Sequence, residues 1–210
     1  MGVITDIKQN RSNKKFSVFV DDEFVFSITD VDVLYYKLSI GDAILQPKLD
    51  KIREEVVLTK AKEKAAKYVS YKSRTEKEVR TKLQEEAYTE DIIEEVMAVL
   101  LKYGYVDDEK YAQSYVKAKH NYGALRLRYE LQQRGVSSQI ISEALEGIER
   151  TPQMVALFYK KLQGDTTPDY AEKRKAFDYV ARRGYDYDDV NDGYAAYLEA
   201  YADGFDETDE

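Results

Sequence analysis

Asp107, Asp108 and Glu109 stand in an unbroken run, and grouped carboxylates are the side chains that hard divalent cations select. Consecutive residues on a helix point in different directions, however, and acids at a helix start already have a role opposite the positive end of the macrodipole. The run therefore reads as a helix N-terminus, not as a metal centre. His120 is the single histidine and cysteine is absent, so no zinc ligand set, thiolate nucleophile or histidine pair can be assembled. His120 itself reads as a surface or loop residue. No Gly-x-x-x-x-Gly-Lys-Ser/Thr loop occurs, which removes the phosphate cradle of the P-loop ATPases. Without a convergent catalytic set, the expectation is a protein that is not an enzyme, with no catalytic residues, no cofactor and no bound metal.

The remaining chemistry is that of cations and aromatic rings. Residues 60–82 hold nine Lys or Arg against three Glu, 110–134 hold six against Glu130, and 173–183 hold five against Asp178. Such stretches can meet phosphates or an acidic protein surface, or simply solvate a helix face. The candidate contact residues are Arg74, Lys77 and Arg80 in the first stretch, Lys117, Lys119, Arg126, Arg128 and Arg134 in the second, and Arg182 and Arg183 in the third. Arg126 has Glu130 four residues on as an internal partner, whereas Arg128 has no acid at that spacing. Among 19 tyrosines, Tyr68, Tyr111 and Tyr115 fall on apolar helix faces and are expected to be buried. Tyr122, between Asn121 and Gly123, is the candidate exposed ring able to stack on a base.

The net charge of −8 opposes nucleic-acid binding until its distribution is considered. Residues 186–210 contain ten acids and no Lys or Arg, so most of the deficit is C-terminal. Residues 203–210 are expected to form an acidic disordered tail. There is no run of 18 apolar residues and no signal-like N-terminus, so the expectation is a cytoplasmic protein without a membrane partner.

The elements that must position these residues are of two kinds. In residues 1–50, Val3, Ile4 and Ile7, then Phe16, Val18 and Val20, then Phe24, Val25 and Phe26 are separated by polar turns. They describe a three-stranded antiparallel meander. Thr29-x-x-Asp32 caps a short helix through Tyr36, expected to cover one face of this small sheet. From residue 51 onward the signals are helical, with segments near 52–72, 75–86, 89–103, 107–119, 122–134, 137–148, 152–162, 169–183 and 187–200. Thr75-x-x-Glu78 is a capping box.

These helices repeat. A shift of 48 residues superimposes Val79 and Leu83 on Leu127 and Leu131, and a shift of 49 carries those onto Ala176 and Val180. Ala87, Gly135 and Gly184 then share one loop position, followed by Tyr88, Val136 and Tyr185. Ile93, Ile141 and Val190 also fall in register. The fold class is therefore mainly α, a tandem array of three three-helix repeats behind a small antiparallel β-meander. The boundaries are 1–50 for the β subdomain, 51–106, 107–150 and 151–202 for the repeats, and 203–210 for the tail. Arrays complete their cores between neighbours, so a monomer is expected.

The segment Tyr68-Val69-Ser70-Tyr71-x-Ser73-Arg74-Thr75-Glu76-Lys77-Glu78-Val79-Arg80-x-Lys82-Leu83 resembles the first-repeat signature of the RecX regulators of the bacterial recombinase RecA. Val106-Asp107-Asp108-Glu109-Lys110-Tyr111-Ala112 is similar to the start of the family's second repeat. Its continuation is Tyr122-Gly123-x-x-Arg126-Leu127-Arg128-x-Glu130-Leu131-x-x-Arg134-Gly135-Val136. The third repeat is matched more weakly, through Ala176-Phe177-x-x-Val180-Ala181-Arg182-Arg183-Gly184-Tyr185, and the N-terminal sheet resembles the extension of longer members. The resemblance implies a protein that binds RecA and RecA-DNA filaments and inhibits recombinase and ATPase activity. It would thereby modulate recombination, DNA repair and the SOS response. The residues by themselves leave two other readings open: a nonspecific module for single- or double-stranded DNA, and a protein-only helical scaffold. The acidic final helix argues against phosphate contact at that end.

Overall fold

The computed structural model describes residues 1–11 and 14–202, which form two compact units, Met1–Asp107 and Asp108–Glu210. The acidic tail lies outside the described residues.

The first unit opens with strands β1 (Gly2–Gln9), β2 (Phe16–Val20) and β3 (Glu23–Ile28). Asp21 and Asp22 both take positive φ, 49° and 68°, in the two-residue turn between Val20 and Glu23. That geometry matches the right-handed twist of a tight hairpin, and Asp tolerates it better than most residues. A fourth strand, β4 (Ala43–Ile44), pairs antiparallel with β1 and completes the order β3-β2-β1-β4. It was not expected, because two residues carry no periodicity.

Helix α1 (Asp30–Tyr35) starts at the anticipated box, with Thr29 and Asp32 capping each other reciprocally. It gives only part of the cover expected of it: Val33 and the C-cap Tyr36 pack partly buried against the core, while no residue of the helix is fully buried and Val31 and Leu34 lie in solvent. Most of the cover comes from α2 (Gln46–Ile52) and the π-helical turn Arg53–Leu58 that follows it without a break. Leu49, Ile52, Val56 and Val57 join Ile4, Val18, Phe26 and Ile28 in one core.

The rod continues as α3 (Thr59–Tyr71), then α4 (Glu76–Glu85) and α5 (Glu90–Lys102). Thr75 and Glu78 form the anticipated capping box at the start of α4. Val79, Leu83, Ile93, Val96 and Met97 extend the same core, so the sheet and the first repeat fold around one apolar interior.

The second unit holds α6 (Asp108–Ala118), α7 (Ala124–Gln133) and α8 (Ser138–Leu145) around Ala112, Val116, Leu127, Leu131 and Ile141. It also holds α9 (Thr151–Leu162), α10 (Tyr170–Ala181) and α11 (Tyr187–Ala202) around Phe158, Ala176, Val180 and Tyr197. Ala176 and Val180 are smaller than the leucines they replace. An aromatic cluster of Phe158, Phe177, Tyr194 and Tyr197 fills the space, with centroids 5.1–6.1 Å apart.

The repeat is visible in backbone detail. Ala87, Gly135 and Gly184 all adopt left-handed φ, at 58°, 85° and 84°. Their amides donate to the equivalent carbonyls of Gln84, Gln132 and Ala181. Tyr88, Val136 and Tyr185 then turn inward and are buried. This is a helix C-terminal cap used three times, once without the glycine that suits it.

Candidate partner interface

The cations of α4, α7 and α10 are held in unequal ways. In the first repeat Arg80 is enclosed by carboxylates. Its Nε donates to Glu76 at 2.8 Å, and its two terminal nitrogens grip Glu94 at 2.7 and 3.1 Å, with Glu90 at 3.4 Å. The Glu94 pairing raises the guanidinium pKa further and overrides its partial burial. Arg74 is stacked on the Tyr68 ring at 3.9 Å, and Lys77 is exposed. Arg80 therefore has its charge matched within the fold.

Around α7 the arrangement differs. Arg126 lies 3.9 Å over the Tyr122 ring and donates to Glu130 at 2.8 Å, the internal pair its spacing predicts. The Tyr115 hydroxyl donates to the same carboxylate, and Arg134 lies 5.1 Å over the Tyr115 ring. Burial pulls the Glu130 carboxyl up, but Tyr115, Arg126 and Lys119 outweigh it and hold it below the usual range. Tyr122 is thus no open stacking platform: it is half-buried, covered by Arg126 and approached by Lys119 at 5.4 Å. The ring quadrupole attracts these cations, and Arg126 occupies one face of it. Tyr68, Tyr111 and Tyr115, expected in the core, are half-buried at its edge, and the Tyr115 hydroxyl reaches Glu130. Tyr129, next to Arg128, is an exposed ring on α7.

Among the described residues Arg128 makes a single hydrogen bond, from Nη1 to the Ser142 hydroxyl at 3.2 Å. It faces a groove of about 550 Å³ that Ala124, Gln139, Glu143 and Arg150 also line. Lys117 and Lys119 are exposed at the end of α6. Lys117 lines a second cavity of about 370 Å³ with exposed His120, Tyr122, Arg150 and Gln153.

The third repeat meets the second at the start of α7. The Gly123 amide donates to the Arg183 carbonyl at 2.8 Å, and the Leu125 amide to the Gly184 carbonyl at 3.1 Å. Gly123 occupies the position that Thr75 holds in the first repeat, so backbone carbonyls satisfy the helix start where a capping side chain otherwise would. Arg183 folds back on α10, its guanidinium 3.6 Å over Tyr179 and its Nη1 donating to the Tyr179 carbonyl at 2.6 Å. Arg182 is exposed. This contact sets the Arg183 carbonyl against Gly123 and Gly184 against Arg126. Sequence spacing alone does not join these residues, and none of the three basic stretches is a continuous cationic stripe. Among the described residues no cluster of acids and His suits a metal ion, and no helix is long and apolar enough to cross a membrane.

Comparison with known proteins accounts for the architecture. Three family profiles match in order: the RecX regulatory protein N-terminal domain over residues 2–45, the first RecX three-helix domain over 61–100, and the second over 107–145. Regulatory protein RecX of Clostridium botulinum strain Eklund 17B is 32% identical over 200 residues, covering 91% of this chain and 94% of that protein. RecX of Clostridium perfringens strain 13 gives the same identity and coverage. A crystal structure of RecX from Lactobacillus salivarius superposes with a TM-score of 0.63 at 25% identity, over 68% of this chain and 97% of that one. With its sheet, its first two repeats and nine-tenths of its length matched in this way, the chain belongs to the RecX family of regulatory proteins.

Proposed function

We propose that this protein is a non-enzymatic regulator that binds RecA and RecA-DNA filaments and inhibits their recombinase and ATPase activities, modulating recombination, DNA repair and the SOS response. The family membership carries this reading, since the relatives are named regulatory proteins. The second repeat supports it. There the matched family segment coincides with Arg128, which has no acidic partner among the described residues, and with the exposed cations Lys117 and Lys119. The protein acts as a cytoplasmic monomer without a cofactor, and any contact with single- or double-stranded DNA supplements contact with RecA.

Co-sedimentation with RecA filaments assembled on single-stranded DNA tests this reading. The protein is expected to pellet with filaments at physiological salt and to remain there as salt rises moderately. Pelleting with bare DNA to the same extent, lost steeply with salt, would favour a nonspecific nucleic-acid module instead.

A further inference from the structure

Arg80 and Arg128 occupy the same position in consecutive repeats, 48 residues apart, on helices whose bounds shift by the same interval. The three carboxylates around Arg80 can therefore be followed into the second repeat. Glu76 becomes Ala124, Glu90 becomes Ser138, and Glu94 becomes Ser142. The contact is kept while its charge is removed. Arg128 points at Ser142 just as Arg80 points at Glu94, but a hydroxyl stands where the bidentate carboxylate was. In the third repeat the position is Phe177, packed beside Phe158. Only the second repeat thus presents an arginine with its internal acids deleted, and it does so on an open groove.

We propose that the Arg128–Ser142 pair is a carboxylate socket, filled by an Asp or Glu side chain of the protein partner in the way that Glu94 fills the equivalent socket on Arg80. The guanidinium fork suits carboxylate and phosphate alike. The groove favours the former, because Glu143 and Glu146 also line it and match the charge of Arg128 and Arg150, leaving no cationic surplus for a phosphate chain. One carboxylate can enter along the line from Arg128 to Ser142, whereas a phosphodiester chain tracking the groove would pass both acids. Gln139, not a cation, is the side chain that donates to Glu143, so its negative charge remains in place. This inference rests on the proposed function, with RecA as the partner that supplies the acid.

Affinity for immobilised RecA filaments on single-stranded DNA, and for the same DNA without RecA, tests the socket in the full-length protein. Ser142→Glu recreates the first-repeat pair and so plugs the socket from within; Arg128→Glu removes its cation. Each is expected to weaken filament binding tenfold or more. Gln132→Glu, the same one-unit charge change as Ser142→Glu but on an exposed position of α7, is expected to stay within twofold. Ser142→Glu is also expected to melt no lower than the parent, as its new carboxylate meets Arg128. Parent-like filament binding by Ser142→Glu, or a melting point clearly below the parent, would overturn the proposal. So would an equal loss of binding to bare DNA, which would identify the occupant as phosphate. A parent that fails to bind filaments overturns the proposed function, and the socket with it.

Discussion

Gly123 and Gly184 meet backbone to backbone, with space for a Cβ at neither position: one added to Gly123 would overlap the Gly184 carbonyl, and one added to Gly184 would overlap Arg126. The two glycines seat the start of α7 on the turn between α10 and α11. The amides that open α7 thereby find their acceptors in the third repeat.

Replacing either glycine by alanine forces these segments apart, and Gly184, at φ 84°, also carries the left-handed strain. Each substitution is expected to lower unfolding stability by about 2 to 4 kcal/mol. Urea denaturation followed by circular dichroism measures this. A loss below about 0.5 kcal/mol, within the range of an ordinary surface change, would contradict the contact.

Ala87 holds the same cap position without the freedom of glycine, at φ 58°. Ala87→Gly is expected to stabilise the protein slightly, by up to about 1 kcal/mol, as relief of left-handed strain outweighs the added freedom of the unfolded chain. Gly135→Ala at the equivalent place is expected to destabilise. Changes of the same sign at both positions in thermal melts would argue against the shared cap.

Glu86 ties the sheet to the first repeat. Its carboxylate lies 2.6 Å from Lys64, 3.4 Å from Lys82 and 3.7 Å from Lys15, whose Nζ is also 4.2 Å from the Tyr88 ring. Burial pulls the Glu86 carboxyl up, yet the three lysines together hold it below its ordinary value of 4.5. A depressed carboxylate contributes stability that is complete above that ordinary value and is lost as pH falls through the lower folded value. Glu86→Gln should therefore cost about 2 kcal/mol near neutral pH and flatten the acid side of the stability profile. An unchanged urea midpoint from pH 7 to pH 3 relative to the parent would count against this.

Arg80 and Arg128 give a matched pair for stability. Arg80→Ala strands three carboxylates and is expected to lower stability by about 1 to 2 kcal/mol, whereas Arg128→Ala, which loses one hydrogen bond to a serine, should stay within about 0.5 kcal/mol. Equal losses in parallel denaturation curves would contradict the difference in their surroundings.

Much of this organisation was legible in residue order. The boxes Thr29/Asp32 and Thr75/Glu78 mark their helix starts because one short polar side chain and one acid three residues on satisfy each other's backbone. Ala87, Gly135 and Gly184 mark a turn that only left-handed dihedrals can make. The start of α2 was not legible, because Pro47 resembles a breaker unless it is known to lie in a first turn, where its missing N–H is harmless. Nor was most of the sheet's cover, because Leu49 and Ile52 belong to the helix that Pro47 conceals. At the candidate interface, the Arg126–Glu130 pair follows from local spacing. The covering of Tyr122 and the approach of Arg183 to Gly123 depend on tertiary contact. The change from Glu94 to Ser142 was visible in the 48-residue shift, but it has meaning only once Arg80 is seen to grip Glu94.

The most direct measurement of the central claim is the single-stranded-DNA-dependent ATPase turnover of RecA with and without this protein. Turnover is expected to fall as the protein approaches stoichiometry with RecA. Unchanged turnover at a clear molar excess would contradict the account.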